Sequence, residues 1–361
     1  MFKFRDEATA KRIVQKIADL GLNARFMHVC GTHQDTLVRF GLQDLIEKAG
    51  IDIRQGPGCP VCVTTSYEIQ EAMAIARSGK TLAVFGDMLA VPTPDGSLAD
   101  LKAQGCDVRV VYSVDEAIRL AETGKEVVFM AVGFETTSPT TASAVYSRPP
   151  ASFSILSAHR LIPPAIEAIL QMGEIRVDGL IQPGHVSTII GLRPYEEIAK
   201  RFHMPQVVAG FEPLDLLMAV YMLAEQVKEG TASVQNEYSR VVKPEGNPKA
   251  LSLLSEVFKK VDKPWRGFPV IGNSALELRE EFEEYDARKK YADLLADLSP
   301  LEFSTACRCG EVLRGLIPSE DCPLFGTSCT PGNPMGPCMV SREGSCNITY
   351  RYRPEGSTSK D

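Results

Sequence analysis

A chain of 361 residues with 44% hydrophobic and 24% charged side chains has the material for a sizeable core and divides most naturally into two or three domains. A net charge of -7 and the lack of any basic stripe exclude a general nucleic-acid partner, and the apolar runs are too short and too broken by Gly, Pro or charge to span a membrane. The start, Met1 to Asp6, has no apolar core of the secretory kind, so the expected location is cytoplasmic, where ten cysteines read as metal ligands or redox thiols.

In chain order, residues 6–20 place Ile13, Val14, Ile17 and Leu20 at helical spacing, with Gly21 as the stop. A short apolar strand, 26–29, then delivers Cys30-Gly31-Thr32-His33 at the start of a helix running through Leu37 to Leu42. Cys30 is therefore expected where a strand gives way to a helix. The next strand, Ile51-Asp52-Ile53, leads into Gly56-Pro57-Gly58-Cys59-Pro60-Val61-Cys62 and a helix carrying Ile69, Met73 and Ala76 on one face. Two residues between Cys59 and Cys62 permit a reducible disulfide or a shared metal, and a following helix N-terminus favours the thiolate. Pro57 and Pro60 stiffen this loop, while Gly56 and Gly58 let the backbone pass close to another body.

The alternation continues. Strand 82–85 ends in Gly86-Asp87, and 108–112 leads into a helix with Ala117, Ile118 and Ala121. After Gly124 a second series begins: 127–132 ends in Gly133-Phe134-Glu135-Thr136-Thr137, 153–156 in Ser157-Ala158-His159, 180–181 in Gln182-Pro183-Gly184-His185, and 207–209 in Gly210-Phe211-Glu212-Pro213. Strands alternating with helices mean parallel sheets covered by helices, with ligands at the carboxyl ends of the strands. Cys30, His33, Cys59, Cys62, Asp87, Glu135, His159, His185 and Glu212 all fall in such strand-end loops. Any one of them alone reads first as a cap or a satisfied hydrogen-bond partner; the shared placement makes the set a candidate site. The echo between Gly133-Phe134-Glu135 and Gly210-Phe211-Glu212 fits two similar Rossmann-like parallel-sheet α/β domains facing a cleft, one over 22–124 and one over 125–230. Residues 1–21 and 231–361 are assigned to a third, helical region ending in the cysteine-rich tail. No Walker-type loop or GxGxxG fingerprint is present.

Past the helix 214–228, Trp265 lies in a turn-like segment as a packing anchor with Arg266 directed at the cleft, and 275–297 reads as a charged helix with a solvated face. Six of the ten cysteines then follow: Cys307, Cys309, Cys322, Cys329, Cys338 and Cys346. Four thiolates among prolines and glycines fit an iron–sulfur cluster or an all-cysteine zinc site. Zinc sites use short paired knuckles, whereas Cys322, Cys329, Cys338 and Cys346 are separated by six, eight and seven residues, which favours the cluster. Cys106, Cys307 and Cys309 receive no role.

Taken together, Cys30-Gly31-Thr32-His33, the Gly56–Cys62 loop, Gly133 to Thr137, Pro183-Gly184-His185-Val186-Ser187, Gly210 to Pro213 and the Cys322–Cys346 tail resemble, in this order and over nearly the whole chain, the [NiFe]-hydrogenase maturation factor HypD family. The resemblance implies a redox-active scaffold, rather than a freestanding turnover enzyme, for building the hydrogenase Fe(CN)2(CO) unit. Iron is then held between Cys30 and a cysteine of the small chaperone HypC, which serves the hydrogenase large subunit, while HypE delivers cyanide from a thiocyanate carrier. A [4Fe-4S] cluster on Cys322, Cys329, Cys338 and Cys346 feeds electrons through Cys59 and Cys62. His33 supports Cys30 from behind or ligates iron directly; Glu135, Thr136, Thr137 and His185 shape the pocket or move protons. The competing reading is an iron–sulfur-dependent disulfide reductase working through Cys59 and Cys62, and the third a zinc-stabilised interaction protein.

Overall fold

The computed structural model describes residues 5–299 and 306–352. Among the described residues nine parallel strands form: β1 Ala24–His28, β2 Ile51–Gln55, β3 Thr81–Val84, β4 Val108–Val110, β5 Val127–Gly133, β6 Phe153–His159, β7 Gly179–Pro183, β8 Gln206–Ala209 and β9 Val234–Asn236; β3, β5, β6, β7 and β8 are buried throughout, whereas β2, β4 and β9 are partly exposed. They make two all-parallel sheets, ordered β2-β1-β7-β8-β9 and β4-β3-β5-β6. The expected α/β class with two parallel-sheet units is what the chain adopts.

The expected borders are not. β3 and β4 pair with β5 and β6, so the chain leaves the first sheet after β2, builds the whole second sheet, and returns at β7. A split at 124/125 would cut the second sheet in half. Periodicity announces a strand but not its neighbour, because pairing between parallel strands is settled by packing far along the chain. The N-terminal helix, Glu7–Asp19, likewise belongs with the first sheet: it packs on helix Pro213–Glu229, and Ile13 and Ile17 share a core with Phe26 and Val207. Of the expected third region, residues 1–4, 300–305 and 353–361 lie outside the described residues.

Residues 275–297 do not form a helix. Strands β10 Phe258–Pro264 and β11 Val270–Leu278 make an antiparallel hairpin, followed by a 3-10 turn, Glu280–Tyr285, and two short helices, Ala287–Lys290 and Ala292–Leu295. Ala275, Leu276 and Leu278 are buried against the second sheet, and Ser157 Oγ donates to the Leu276 carbonyl at 2.6 Å. The acidic run Glu280 to Glu284 disfavours a continuous helix by like-charge neighbours at three- and four-residue spacing. Among the described residues no helix is long and apolar enough to cross a membrane.

A buried ion-pair network ties these parts together. Arg160, 1% exposed at the end of β6, places Nη2 2.7 Å from both carboxylate oxygens of Glu68 on helix Ser66–Arg77. Arg288 clasps Glu71 at 2.8 Å and donates to the Ser157 carbonyl at 2.8 Å. Burial alone raises the Glu68 pKa, yet the charges of Arg160 and Arg288 outweigh it and hold the carboxyl below its ordinary range. This contribution is full above about pH 4.5, the unperturbed value, and is lost as pH falls through the depressed one. Replacing Arg160 by Met strands a buried carboxylate, and urea denaturation at neutral pH should show a loss of about 3–5 kcal/mol. The loss should shrink in acid, where the stranded Glu68 of the variant, its pKa raised by burial, takes up a proton that the wild-type carboxylate does not; a constant difference between pH 7 and pH 4 would contradict the assignment.

Candidate functional site

Cys30 follows β1 in extended backbone and is the N-cap of helix Gly31–Arg39. Its thiol is buried, and burial pushes its pKa up to about 12, with the Glu343 carboxylate adding to the rise and the amide of His33 opposing it. The resting group is therefore a thiol. His185 Nδ1 stands 4.0 Å from Sγ, and burial takes this imidazole down to about 4, so it is neutral at physiological pH.

The Cys59–Cys62 loop lies against Cys30 because Gly58 has no side chain: a Cβ there would sit 2.2 Å from the Cys30 amide nitrogen. The Gly31 amide donates to the Gly58 carbonyl at 3.2 Å. On the other side of the helix start, a Cβ at Gly31 would meet the Glu343 carbonyl at 2.5 Å. Cys59 caps the short helix Pro60–Val63, and a disulfide joins it to Cys62; both sulfurs are buried.

Beside this contact lies a cavity of about 260 Å³. Thr32, Gly58, Pro60, His185 and Phe211 reach it from loops of the first sheet. Phe134, Thr136 and Thr137 come from the end of β5 in the second, and Glu343 from the tail. The two Gly-Phe-Glu segments thus meet at one space through their phenylalanines.

Other expected residues stand elsewhere. His33 turns away from Cys30: Nε2 donates to the Gly210 carbonyl at 3.0 Å, Nδ1 has no hydrogen-bond partner, and burial holds the ring neutral. Only its backbone amide serves the Cys30 sulfur. Glu135 does not line the cavity; it accepts from the Ile162 amide at 2.9 Å, its other oxygen is unpartnered, and burial lifts it to about 7 against the amides of Glu135 and Ile162. Asp87, His159 and Glu212 have structural partners in Ser341, Thr141 and Arg5.

In the tail, Cys307, Cys309, Cys322, Cys329, Cys338 and Cys346 all line one cavity, with Phe325 and Met339 as its apolar wall. The sulfurs of Cys309 and Cys338 are 2.8 Å apart. Among the described residues no three His, Cys, Asp or Glu side chains form a group ready for a single metal ion. Helix Pro337–Val340, carrying Cys338, packs on helix Pro60–Val63, carrying Cys62. Arg266 is not among the residues lining the Cys30 cavity; its charge interacts with Cys309, Cys338 and Cys307. Sequence reasoning missed Glu343 and left Cys307 and Cys309 without a role. The signal for the two cysteines was their place in the same cysteine-rich run; Glu343 had none, being one acid in a polar loop.

A family model for HypD, described as the hydrogenase formation hypA family, matches residues 7–353. The chain belongs to the HypD family. The hydrogenase maturation factor HypD of Rhizobium leguminosarum bv. viciae is 43% identical over 97% of this chain and 94% of its own length. That of Cupriavidus necator is 41% identical over 97% and 96%. The hydrogenase expression/formation protein HupD of Azotobacter chroococcum is 42% identical over the same shares, 97% and 96%. A role in hydrogenase maturation, a process carried by several proteins, follows from membership of the HypD family.

With the Cys30 pKa near 12, alkylation of this residue, followed by peptide mass spectrometry, should rise about tenfold per pH unit from pH 7 to 9 without a plateau. A plateau below pH 8 would mean a thiolate at rest and overturn the burial argument.

Proposed function

We propose that this protein is the cytoplasmic scaffold on which the Fe(CN)2(CO) unit of [NiFe]-hydrogenases is assembled. The observation that carries the reading is the serial placement of its thiols: Cys30 beside the Cys59–Cys62 loop, and the Cys62 helix against the Cys338 helix. The iron under construction is the substrate. Cys30 supplies one thiolate to it, a HypC-type chaperone with its own cysteine covers the cavity and carries the product to the hydrogenase large subunit, and a HypE-type donor presents the thiocyanate. Thr32, Thr136 and Thr137 offer hydroxyls to the incoming group, His185 takes the proton released by Cys30, and Phe134 and Phe211 keep water out.

Releasing cyanide from a thiocyanate is a two-electron reduction: the carrier S–C bond breaks, giving a carrier thiol and cyanide. The Cys59/Cys62 dithiol supplies both electrons and two protons as it closes to the disulfide. It is reset by exchange with a reduced tail pair, in which the Cys309 and Cys338 thiols close as Cys59 and Cys62 open. An external one-electron donor, acting twice, reduces the tail pair through the cluster. The tail residues fit an iron–sulfur cluster by donor type and by their apolar wall. When bound, a [4Fe-4S] cluster passes electrons singly. Two sulfurs in contact at 2.8 Å cannot each bond a separate iron of one cluster. We therefore assign Cys338 to a pair with Cys309 and give the fourth ligand position, beside Cys322, Cys329 and Cys346, to Cys307.

Protein co-purified under nitrogen with its maturation partners should show infrared bands of iron-bound cyanide and CO, and Cys30→Ala should abolish them. Bands that survive in that variant would refute the central ligand; iron and sulfide without bands, even with all partners supplied, would favour the reductase. In the ligand assignment, Cys307→Ser should lose most of its iron and sulfide while Cys338→Ser keeps both. The reverse pattern would restore Cys338 to the cluster.

A further inference from the structure

The turn joining β10 to β11 reaches the Cys62 helix, the tail and one wall of the Cys30 cavity. Trp265 is buried, donates from Nε1 to Ser274 Oγ at 2.9 Å and stacks on Phe134 of the Cys30 cavity with ring centroids 6.0 Å apart. Gly267, at φ +80°, lies so close to the tail that a Cβ would sit 2.4 Å from Gly310 Cα, and Arg314 holds the Gly267 carbonyl at 3.1 Å. Between these two anchors stands Arg266. Its amide donates to the Val63 carbonyl at 2.8 Å and its Nε to the Thr64 carbonyl at 2.9 Å, the end of the helix that carries Cys62. Its Nη2 is shut from solvent and has no hydrogen-bond partner. The residue after it, Gly267, abuts Gly310, the neighbour of Cys309, and the Arg266 charge interacts with Cys309, Cys338 and Cys307 as well as with Glu68, which Arg160 already engages. A guanidinium stays charged at every working pH, even where burial lowers its pKa as here.

We propose that Arg266 is a positioning residue for electron transfer, pinned to the Cys62 helix by two carbonyls and presenting a fixed positive charge to the tail cysteines, whose reduction potential it raises. The role rests on the relay proposed above. Two electrons taken up with one proton leave a thiolate that shares the proton of its neighbour, as the 2.8 Å contact of Cys309 and Cys338 suits, and in a poorly solvated space a fixed cation is felt strongly by that charge. Electrons are thereby held at the face of the tail that adjoins Cys62, rather than lost to solvent oxidants.

The test uses the full chain, prepared without oxygen and equilibrated in glutathione and dithiothreitol redox buffers. Thiols are trapped by alkylation and the Cys309/Cys338 and Cys59/Cys62 pairs read separately by peptide mass spectrometry. Arg266→Met should lower the equilibrium constant for forming the Cys309/Cys338 dithiol at least tenfold, about 30 mV for a two-electron couple, while Arg266→Lys recovers most of the shift. Arg266→Gln serves as a second neutral variant. An unmoved potential in the neutral variants overturns the role, and so does an equal shift in the Lys variant, which would make turn geometry the cause. If neither neutral variant folds while the Lys variant does, the charge is structural and the redox role fails. A wild-type protein whose reduced tail never reduces Cys59–Cys62 overturns the relay and this role with it; a working relay with an unmoved potential overturns the role alone.

Discussion

Backbone against backbone at Gly58 and Cys30 is the contact on which the site depends. With no room for a Cβ at Gly58, the loop can bring the Cys59–Cys62 pair to the N-terminus of the helix that Cys30 caps. The four-residue helix Pro60–Val63 then has Cys30 on one side and the Cys338 helix on the other. A helix so short has little stability of its own, so it is held from outside: by the disulfide, by Arg266 on its last carbonyls, and by helix Ser66–Arg77, which Glu68 anchors to Arg160. The buried ion pairs thereby help to fix where the thiols lie.

Electrostatically the Cys30 surroundings are dry and close to neutral. The thiol keeps its proton, the imidazoles of His33 and His185 lack one, and Glu135 titrates near 7. Burial causes all of these shifts by penalising whichever form carries charge. Such a pocket resists taking up a lone anion. The tail is built differently, with six thiols lining one cavity and the Arg266 guanidinium interacting with three of them.

Much of this was legible from local pattern. Apolar runs ending in Gly or a polar residue marked the parallel strands, and the junction at Cys30 and the convergence of tail cysteines were read from spacing and composition. Residues 275–278, the end of β11, read as the start of a charged helix because Glu277 and the acidic run after it mimic a solvated face when the buried partners of Ala275 and Leu276 are unknown. His33 was read as a neighbour of the Cys30 sulfur on sequence distance; the helical turn instead sends its ring to Gly210 on another strand's loop.

The sequence by itself determined which elements form and which chemistry is present, since helix and strand periods, glycine turns and cysteine content are properties of neighbouring residues. It did not determine that the chain builds its second sheet inside its first, that Glu343 closes the cavity beside Cys30, or that Cys309 faces Cys338 and Arg266 faces both. Those are contacts between residues tens to hundreds of positions apart. Only the packing of whole layers, in which burial energy is summed over the entire core, decides them.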